Sequence, residues 1–291
     1  MSDPKATEAS AAARTNSADR ARQLIEARYR EPEFAERISQ VGWNEALDCL
    51  FSHRSVRNYL DKPLEPGMLE LIIGAAQSAA TTSNLHAWSV VAVRDKERKA
   101  RLADCAAGQR HIYAAPLLLV FVADLARLRA ISEKEGMAGE GLDYLEAFVF
   151  AIADAAFAAQ NAVVALESLG LGCCYIGAMR NDLPTVAKEL ALPDDTMVVF
   201  GMTIGYPDPA VKTDIKPRLP QPMILHEEQY KAPDMDAIDS YNRKMRDFQA
   251  EQNMRSRDWS RLTAERVKDE AALTGRHIMK DFLREHGFKL R

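Results

Sequence analysis

Trp43, Ala46, Leu47, Leu50 and Phe51 recur at the spacing of one helix face, so the hydrophobic pattern predicts an amphipathic helix running straight into His53-Arg54-Ser55-Val56-Arg57. A second stripe, Leu69, Ile72, Ile73 and Ala76, follows Pro66, a residue suited to a first helical turn. It stops at Thr81-Thr82-Ser83-Asn84, four side chains that compete for backbone hydrogen bonds and favour a helix terminus over an interior. Apolar runs at residues 89–93, 117–123, 173–176 and 198–204 read as strands. Between them the pattern predicts helices over residues 96–107, over 143–169 with Gly170 as the stop, and over 183–190 with Asp182 as N-cap. Residues 207–222, rich in Pro and Lys, read as an extended loop. Ile238, Tyr241, Met245 and Phe248 mark another helix, and a polar stretch then leads to Trp259 and a helical pair ending in Ile278, Phe282 and Leu283. The strands lack a steady β–α alternation and no internal repeat is visible, which favours a mixed-sheet α+β architecture over a doubly wound sheet.

Composition narrows the function classes. The chain has 291 residues, 47% of them hydrophobic, and 38 basic against 42 acidic residues give a net charge of −4. A sizeable core is available, and there is no basic excess to recruit nucleic acid or an anionic membrane. Cys49, Cys105, Cys173 and Cys174 form no C-x-x-C pair, so neither a zinc site nor a disulfide framework is indicated. Residues 1–22 read as a flexible Ala/Ser-rich tail, because no apolar run follows Lys5 or Arg14, and Asp3, Glu8 and Asp19 do not suit a transit peptide. Residues 147–166 form the one stretch that suggests a membrane span. They contain Asp154, Gln160 and Asn161, and an Asp at mid-bilayer costs about 2.5–3.5 kcal/mol, so an Ala-rich core or subunit-interface helix fits better. The expectation is a soluble cytoplasmic protein without nucleic-acid or membrane partners.

Several catalytic signatures are absent: no P-loop, no nucleophile elbow and no dinucleotide-binding glycine fingerprint occurs. His226-Glu227 starts like a zinc-protease motif, but Tyr230 stands where the second histidine belongs. Two anion-binding pieces remain. Arg54, Ser55 and Arg57 offer two permanent cations and a hydroxyl within four residues, and guanidinium forks suit phosphate oxygens. In Lys216-Pro217-Arg218 an extended backbone points both cations the same way, with the proline stiffening it. Either piece alone reads as readily as a solvated basic surface. Together they suit a phosphate monoester. Three charge-assisted hydrogen bonds contribute about 1.5–3 kcal/mol each, while association costs about 4–15 kcal/mol. A large apolar or aromatic body must therefore be buried along with the phosphate.

His53-Arg54-Ser55-Val56-Arg57, Thr81-Thr82-Ser83, Gly108-Gln109-Arg110-His111, Leu169-Gly170-Leu171-Gly172 with Tyr175-Ile176-Gly177 and Arg180-Asn181, and Lys216-Pro217-Arg218-Leu219-Pro220 occur in that order. In order and spacing the chain resembles the FMN-dependent nitroreductases, specifically their NADPH-preferring, oxygen-insensitive group, from about Val41 to Arg291. The resemblance implies a nitroreductase-like α+β fold, with a central mixed or antiparallel sheet flanked by helices, in a homodimer. It implies a flexible tail over 1–22 and an FMN-binding domain over 23–291, its core about 41–230 and a C-terminal helical extension at 231–291. It supplies the aromatic body as the flavin ring of FMN. Arg54, Lys216 and Arg218 would hold the phosphate, helped by His53 and Ser55, with Arg57 at the ring edge that becomes negative on reduction. Thr81, Thr82 and Ser83 would meet the ribityl chain and ring edge, Gln109 the pyrimidine side, and the backbone of Tyr175, Ile176, Gly177 and Ala178 the ring itself. Ala178 departs from the family's second glycine.

No side chain is expected to do the redox chemistry, which in this family belongs to flavin N5. The implied reaction is a ping-pong hydride transfer from NAD(P)H, by resemblance NADPH, to small-molecule acceptors such as nitroaromatics and quinones. Asn84 and His86 stand where the enteric enzymes carry a bulkier aromatic and a glutamine, and are candidates for acceptor choice. Arg255 and Arg257 are candidates for gripping NADPH. The alternatives are an NAD(P)H:FMN reductase feeding reduced flavin to a partner monooxygenase, and a non-catalytic flavin-binding protein.

Overall fold

The computed structural model describes residues 4–291, with side chains described from Ser17 onward. Residues 1–3 of the expected tail lie outside the described residues. In chain order the regular elements are α1 (Pro4–Tyr29), α2 (Pro32–Ser39), α3 (Glu45–Ser52), α4 (Met68–Gln77), β1 (Trp88–Val93), α5 (Lys96–Cys105), α6 (Arg110–Ala114), β2 (Leu117–Asp124) and α7 (Ala126–Lys134). They continue with α8 (Leu145–Ser168), β3 (Gly172–Ile176), α9 (Leu183–Glu189), β4 (Thr196–Gly205), α10 (Met235–Glu251), α11 (Trp259–Arg266) and α12 (Met279–Glu285). The chain divides into two compact units, one of residues 1–54 and 212–268, the other of residues 55–211 and 269–291.

The second unit carries the sheet. Among the described residues it has four strands in the order β1-β2-β4-β3, and every pairing is antiparallel. Of the mixed and antiparallel alternatives, the antiparallel one is therefore observed; the one parallel pairing is an isolated bridge between Ser55 and Cys173. Every residue of β2 is buried, which is why its sequence is a continuous apolar run without alternation. The Ala-rich face of α8 (Ala147, Ala151, Ala155, Ala158, Ala159, Ala162) is buried within the same core as β2. Small side chains allow the close approach that this helix makes. α8 is the described helix long and apolar enough to cross a bilayer, and those buried residues place it as a core helix here. It begins two residues after the predicted start because Glu140–Asp143 form a 3-10 turn instead. Asp182 caps α9 as predicted, accepting from Thr185 N at 3.2 Å.

In the first unit, Asn44 caps α3 by accepting from Leu47 N. Ala21, Ile25 and Ala35 are fully buried against Tyr29, Phe34, Ile38, Trp43 and Phe51. Burying a side chain such as Ile25 contributes about 1.5–3 kcal/mol toward docking the helix that carries it. The stretch expected as a tail through residue 22 thus differs from the structure: α1 runs through it and Ala21 has no exposed surface. Tyr241, Met245 and Phe248 of α10 form a second apolar cluster with Leu219 and Trp259.

Candidate functional site

In the first unit, the two predicted cationic stretches are joined through one side chain that the sequence reading did not single out. Arg28, near the end of α1, is 7% exposed. Its guanidinium donates to the carbonyl oxygens of Phe51 at 3.0 Å, His53 at 2.7 Å and Lys216 at 3.0 Å. Its own carbonyl accepts from Arg218 N at 2.8 Å. Pro217 is buried between exposed Lys216 and Arg218, the alternation expected of an extended segment, and its carbonyl accepts from the Tyr241 hydroxyl at 2.9 Å. Burial raises the Tyr241 pKa, and the Arg218 charge opposes that rise, so the phenol stays protonated and keeps donating. Lys216 and Arg218 also border a cavity of about 780 Å³ walled by Tyr29, Leu219, Tyr241, Met245 and Trp259. His53 is half-buried and Arg54 exposed at the end of α3.

In the second unit, Ser55 and Arg57 flank a residue pinned to the sheet. Val56 N donates to the Cys173 carbonyl at 2.8 Å, next to the Ser55–Cys173 bridge. The Tyr59 hydroxyl donates to the Val56 carbonyl at 2.6 Å and lies 2.8 Å from Thr203 Oγ1. This lateral fit requires Gly172, because a Cβ there would sit 2.5 Å from Val56 Cγ2 and 2.8 Å from Val56 Cβ. Beyond β3 the chain turns at Gly177, where a Cβ would meet nothing closer than 3.5 Å, and Tyr175 is exposed beside it. Cys173 and Cys174 are buried and in no disulfide among the described residues, and burial raises the Cys173 pKa, so they are packing residues. Gln109 is half-buried with Nε2 bonded to the Ala106 carbonyl at 2.9 Å.

His111, the last residue of the Gly108–His111 motif, is buried, and its Nε2 has no hydrogen-bond partner. Burial first, and the Arg57 charge second, lower its pKa, so the imidazole is held neutral.

Thr81, Thr82 and Ser83 owe their placement to Asp154, a residue of α8 that is 1% exposed. Its Oδ2 accepts from Thr81 Oγ1 at 2.8 Å and Ala87 N at 3.1 Å, and its Oδ1 from Thr82 N at 2.8 Å and Thr82 Oγ1 at 3.0 Å. Thr81 Oγ1 in turn accepts from His86 N at 2.9 Å. The loop so held is strained: Ser83, Asn84 and His86 have φ of 46°, 57° and 52°, and non-glycine residues in that region cost about 1–3 kcal/mol apiece. Asn84 and His86 are both exposed. Sequence reasoning noted Asp154 only as a charge unsuited to a membrane, yet a carboxylate on the buried face of an apolar helix was itself the available signal.

The two candidate nucleotide-binding arginines differ. Arg255 is exposed, whereas Arg257 is paired with Glu265 at 2.6 Å and its backbone N donates to Gln249 Oε1 at 2.7 Å. Arg257 is thus already engaged within its own unit.

The basic segment, the Thr81–Ser83 loop and the glycine-containing strand edge are sites that the sequence resemblance points to, and Arg28 and Asp154 add the bonds that hold two of them. The chain belongs to the Nitroreductase family: residues 50–206 match its main domain and residues 216–291 its C-terminal domain. It is 33% identical over 251 residues to the FMN reductase (NADPH) of Bacillus subtilis, covering 84% of this chain and 98% of that protein. It is 31% identical over 247 residues to the oxygen-insensitive NADPH nitroreductase of Salmonella typhimurium, covering 84% and 98%. Among solved structures it resembles NfrA2 of B. megaterium with a TM-score of 0.80 at 33% identity, covering 86% of this chain and all of that one.

Proposed function

We propose that the protein is an FMN-dependent oxidoreductase that uses NAD(P)H, with NADPH preferred, to reduce nitroaromatic and quinone-type small molecules. The observation that carries this reading is the pairing of His53-Arg54 with Lys216-Pro217-Arg218 on one guanidinium, which gives the first unit a preassembled basic segment suited to a phosphate monoester. The residues fit FMN on their own chemistry. Cations and a hydroxyl serve the phosphate, the neutral buried His111 Nε2 is an orphaned polar atom awaiting a partner, and Gly177 has no side chain to obstruct a planar ring.

Within the first unit, Arg54, Lys216 and Arg218 would bind the phosphate, with His53 beside them. Within the second, Ser55 would assist at the phosphate and ribityl end. Thr81, Thr82 and Ser83 would orient the ribityl chain and ring edge, Gln109 the pyrimidine edge, and the backbone of Tyr175, Ile176, Gly177 and Ala178 would pass the ring. Bound FMN supplies the hydride-transfer chemistry, which is why no acid–base pair or activated thiol is needed. Arg57 provides a fixed positive charge that favours the reduced, anionic ring. Asp154 holds Thr81 and Thr82 in place. Exposed Asn84 and His86 would shape acceptor choice, and exposed Arg255 would grip the nucleotide, with Arg257 contributing only on release from Glu265.

The working form is a homodimer. Val149 and Phe157 of α8 are 54% and 51% exposed, with half-buried Ala153 and Ala156 between them, and this small-residue stripe bordered by apolar side chains suits a second copy. Cytoplasmic location accords with cysteines held outside disulfides and with a nicotinamide reductant. A second reading, an FMN reductase that releases its flavin, is favoured by the identity to the Bacillus subtilis protein of that name. Steady-state NADPH oxidation separates the two. Rapid turnover with nitrofurazone or a quinone and no response to added free FMN supports the first. Turnover that depends on free FMN supports the second, and no turnover with any acceptor leaves a flavin-binding protein without catalysis. Sedimentation of the flavin-loaded protein checks the dimer, and an active, flavin-retaining monomer would overturn it.

A further inference from the structure

Helices α1 and α2 precede residue 50, where the family match begins. Yet the last turn of α1 is built into the basic segment. Arg28 commits one guanidinium to carbonyls from two stretches 163 residues apart, His53 and Lys216, and its carbonyl binds Arg218 N. The helix is held from below by fully buried Ala21 and Ile25, and from the side by the Arg20–Asp48 pair at 2.8 Å, whose partner lies on α3. On the far side, Arg30 pairs with Glu251 of α10 at 2.5 Å.

From this geometry we infer that the N-terminal extension is a brace for the cofactor phosphate, with Arg28 as its positioning residue. The inference rests on the FMN reading above. A guanidinium presents its donors in a rigid planar fork, so carbonyls bonded to it are fixed in direction as well as distance. In a trans peptide the N–H points opposite the C=O, so anchoring the His53 carbonyl directs the Arg54 N–H away from Arg28. A row of such amide donors forms an anion-binding concavity. On the other stretch, the Lys216 carbonyl and Arg218 N both face Arg28, which sets the backbone from which the Lys216 and Arg218 side chains project. Without the brace, binding FMN must first order two loops, and that cost is subtracted from affinity. The nearly buried Arg28 charge also adds to the positive field that an anion meets.

Riboflavin, which is FMN without its phosphate, separates this role from simple support of the fold. Apoprotein is titrated with FMN and with riboflavin by flavin fluorescence, for wild type, Arg28→Ala and Arg28→Lys. For Arg28→Ala the FMN-over-riboflavin preference should fall by about tenfold or more, with riboflavin affinity nearly unchanged, since at least one charge-assisted hydrogen bond's worth of order is lost. Arg28→Lys, which keeps the charge but not the fork, should lose most of the same preference. Equal weakening of both ligands would show general destabilisation and overturn the inference, as would no change in either. If wild type itself showed no preference for FMN, the FMN reading would fall and the brace with it. Should neither variant fold, hydrogen exchange on wild type decides: FMN but not riboflavin should slow exchange in residues 24–30 and 51–54, and identical protection by both would overturn the proposal.

Discussion

Asp154→Asn is the sharpest single perturbation, because it changes one buried atom and leaves shape intact. Each carboxylate oxygen accepts from one hydroxyl and one backbone N–H: Thr82 on Oδ1, Thr81 and Ala87 on Oδ2. The threonine hydroxyls can rotate, but Thr82 N and Ala87 N cannot. Whichever way the new amide sits, its NH₂ faces one of these backbone donors. The variant loses a charge-assisted bond worth about 1.5–3 kcal/mol and strands a buried N–H at about 1–3 kcal/mol, so the cost is about 2.5–6 kcal/mol. That loss is large enough to release the strained residues Ser83, Asn84 and His86. For a chain of this size it lowers the melting midpoint by roughly 4–10 °C. The assay is thermal unfolding of the apoprotein, paired with FMN titration and acceptor KM on the loaded enzyme. The midpoint should drop, FMN binding should weaken and acceptor KM should rise. An unchanged midpoint with unchanged KM would refute the claim that this carboxylate holds the loop.

Gly172→Ala places a methyl group 2.5 Å from Val56 Cγ2, so the Ser55–Arg57 segment must move off β3; apoprotein unfolding should show a loss of about 1–3 kcal/mol, with weakened FMN binding. Pairing it with Val56→Gly, which removes both clashing carbons, should recover part of the FMN binding, and no recovery would mean that the contact is not the cause. His111 has a folded pKa below the ordinary 6.5, so the unfolded chain takes up its proton first, and stability falls as pH drops from about 6.5 toward the folded value. His111→Leu should remove that portion of the acid slope in apoprotein unfolding, and parallel pH curves would contradict the assignment. Asn84→Phe narrows the exposed loop and should shift the ranking of acceptors by kcat/KM while leaving FMN affinity alone; an unchanged ranking removes Asn84 from substrate choice.

The strand runs were legible because their residues are apolar and β-branched and their bounds are set by turn chemistry; the four strands fall within two residues of the pattern. α3, α4, α8 and α10 were visible for the same reason, each showing a stripe at helical period. α6, with five residues, is too short to show a stripe, and α2 announces itself only by Pro32 at its start. The unit boundaries were not visible either. The resemblance implied a break near residue 230, whereas the compact units break at 54/55, 211/212 and 268/269, because the chain leaves one unit and later returns to it. Arg28, and the partners of Asp154, were missed on stronger grounds. A buried charge is identified by what it bonds, and the partners of Arg28 at Lys216 and of Asp154 at Thr81 lie 188 and 73 positions away. Spacing along the chain carries no trace of such pairs. The candidate cations, by contrast, stood out because two short segments concentrated them.

The account turns on FMN being held and reduced by this chain. The most direct measurement is an anaerobic titration of the purified, FMN-reconstituted protein with NADPH, followed by release and identification of the flavin. The visible flavin bands should bleach at about one NADPH per bound flavin, return on adding a quinone or nitroaromatic, and the released molecule should be FMN. A correctly folded protein that stays colourless after reconstitution, or whose bound flavin NADPH does not bleach, would contradict it.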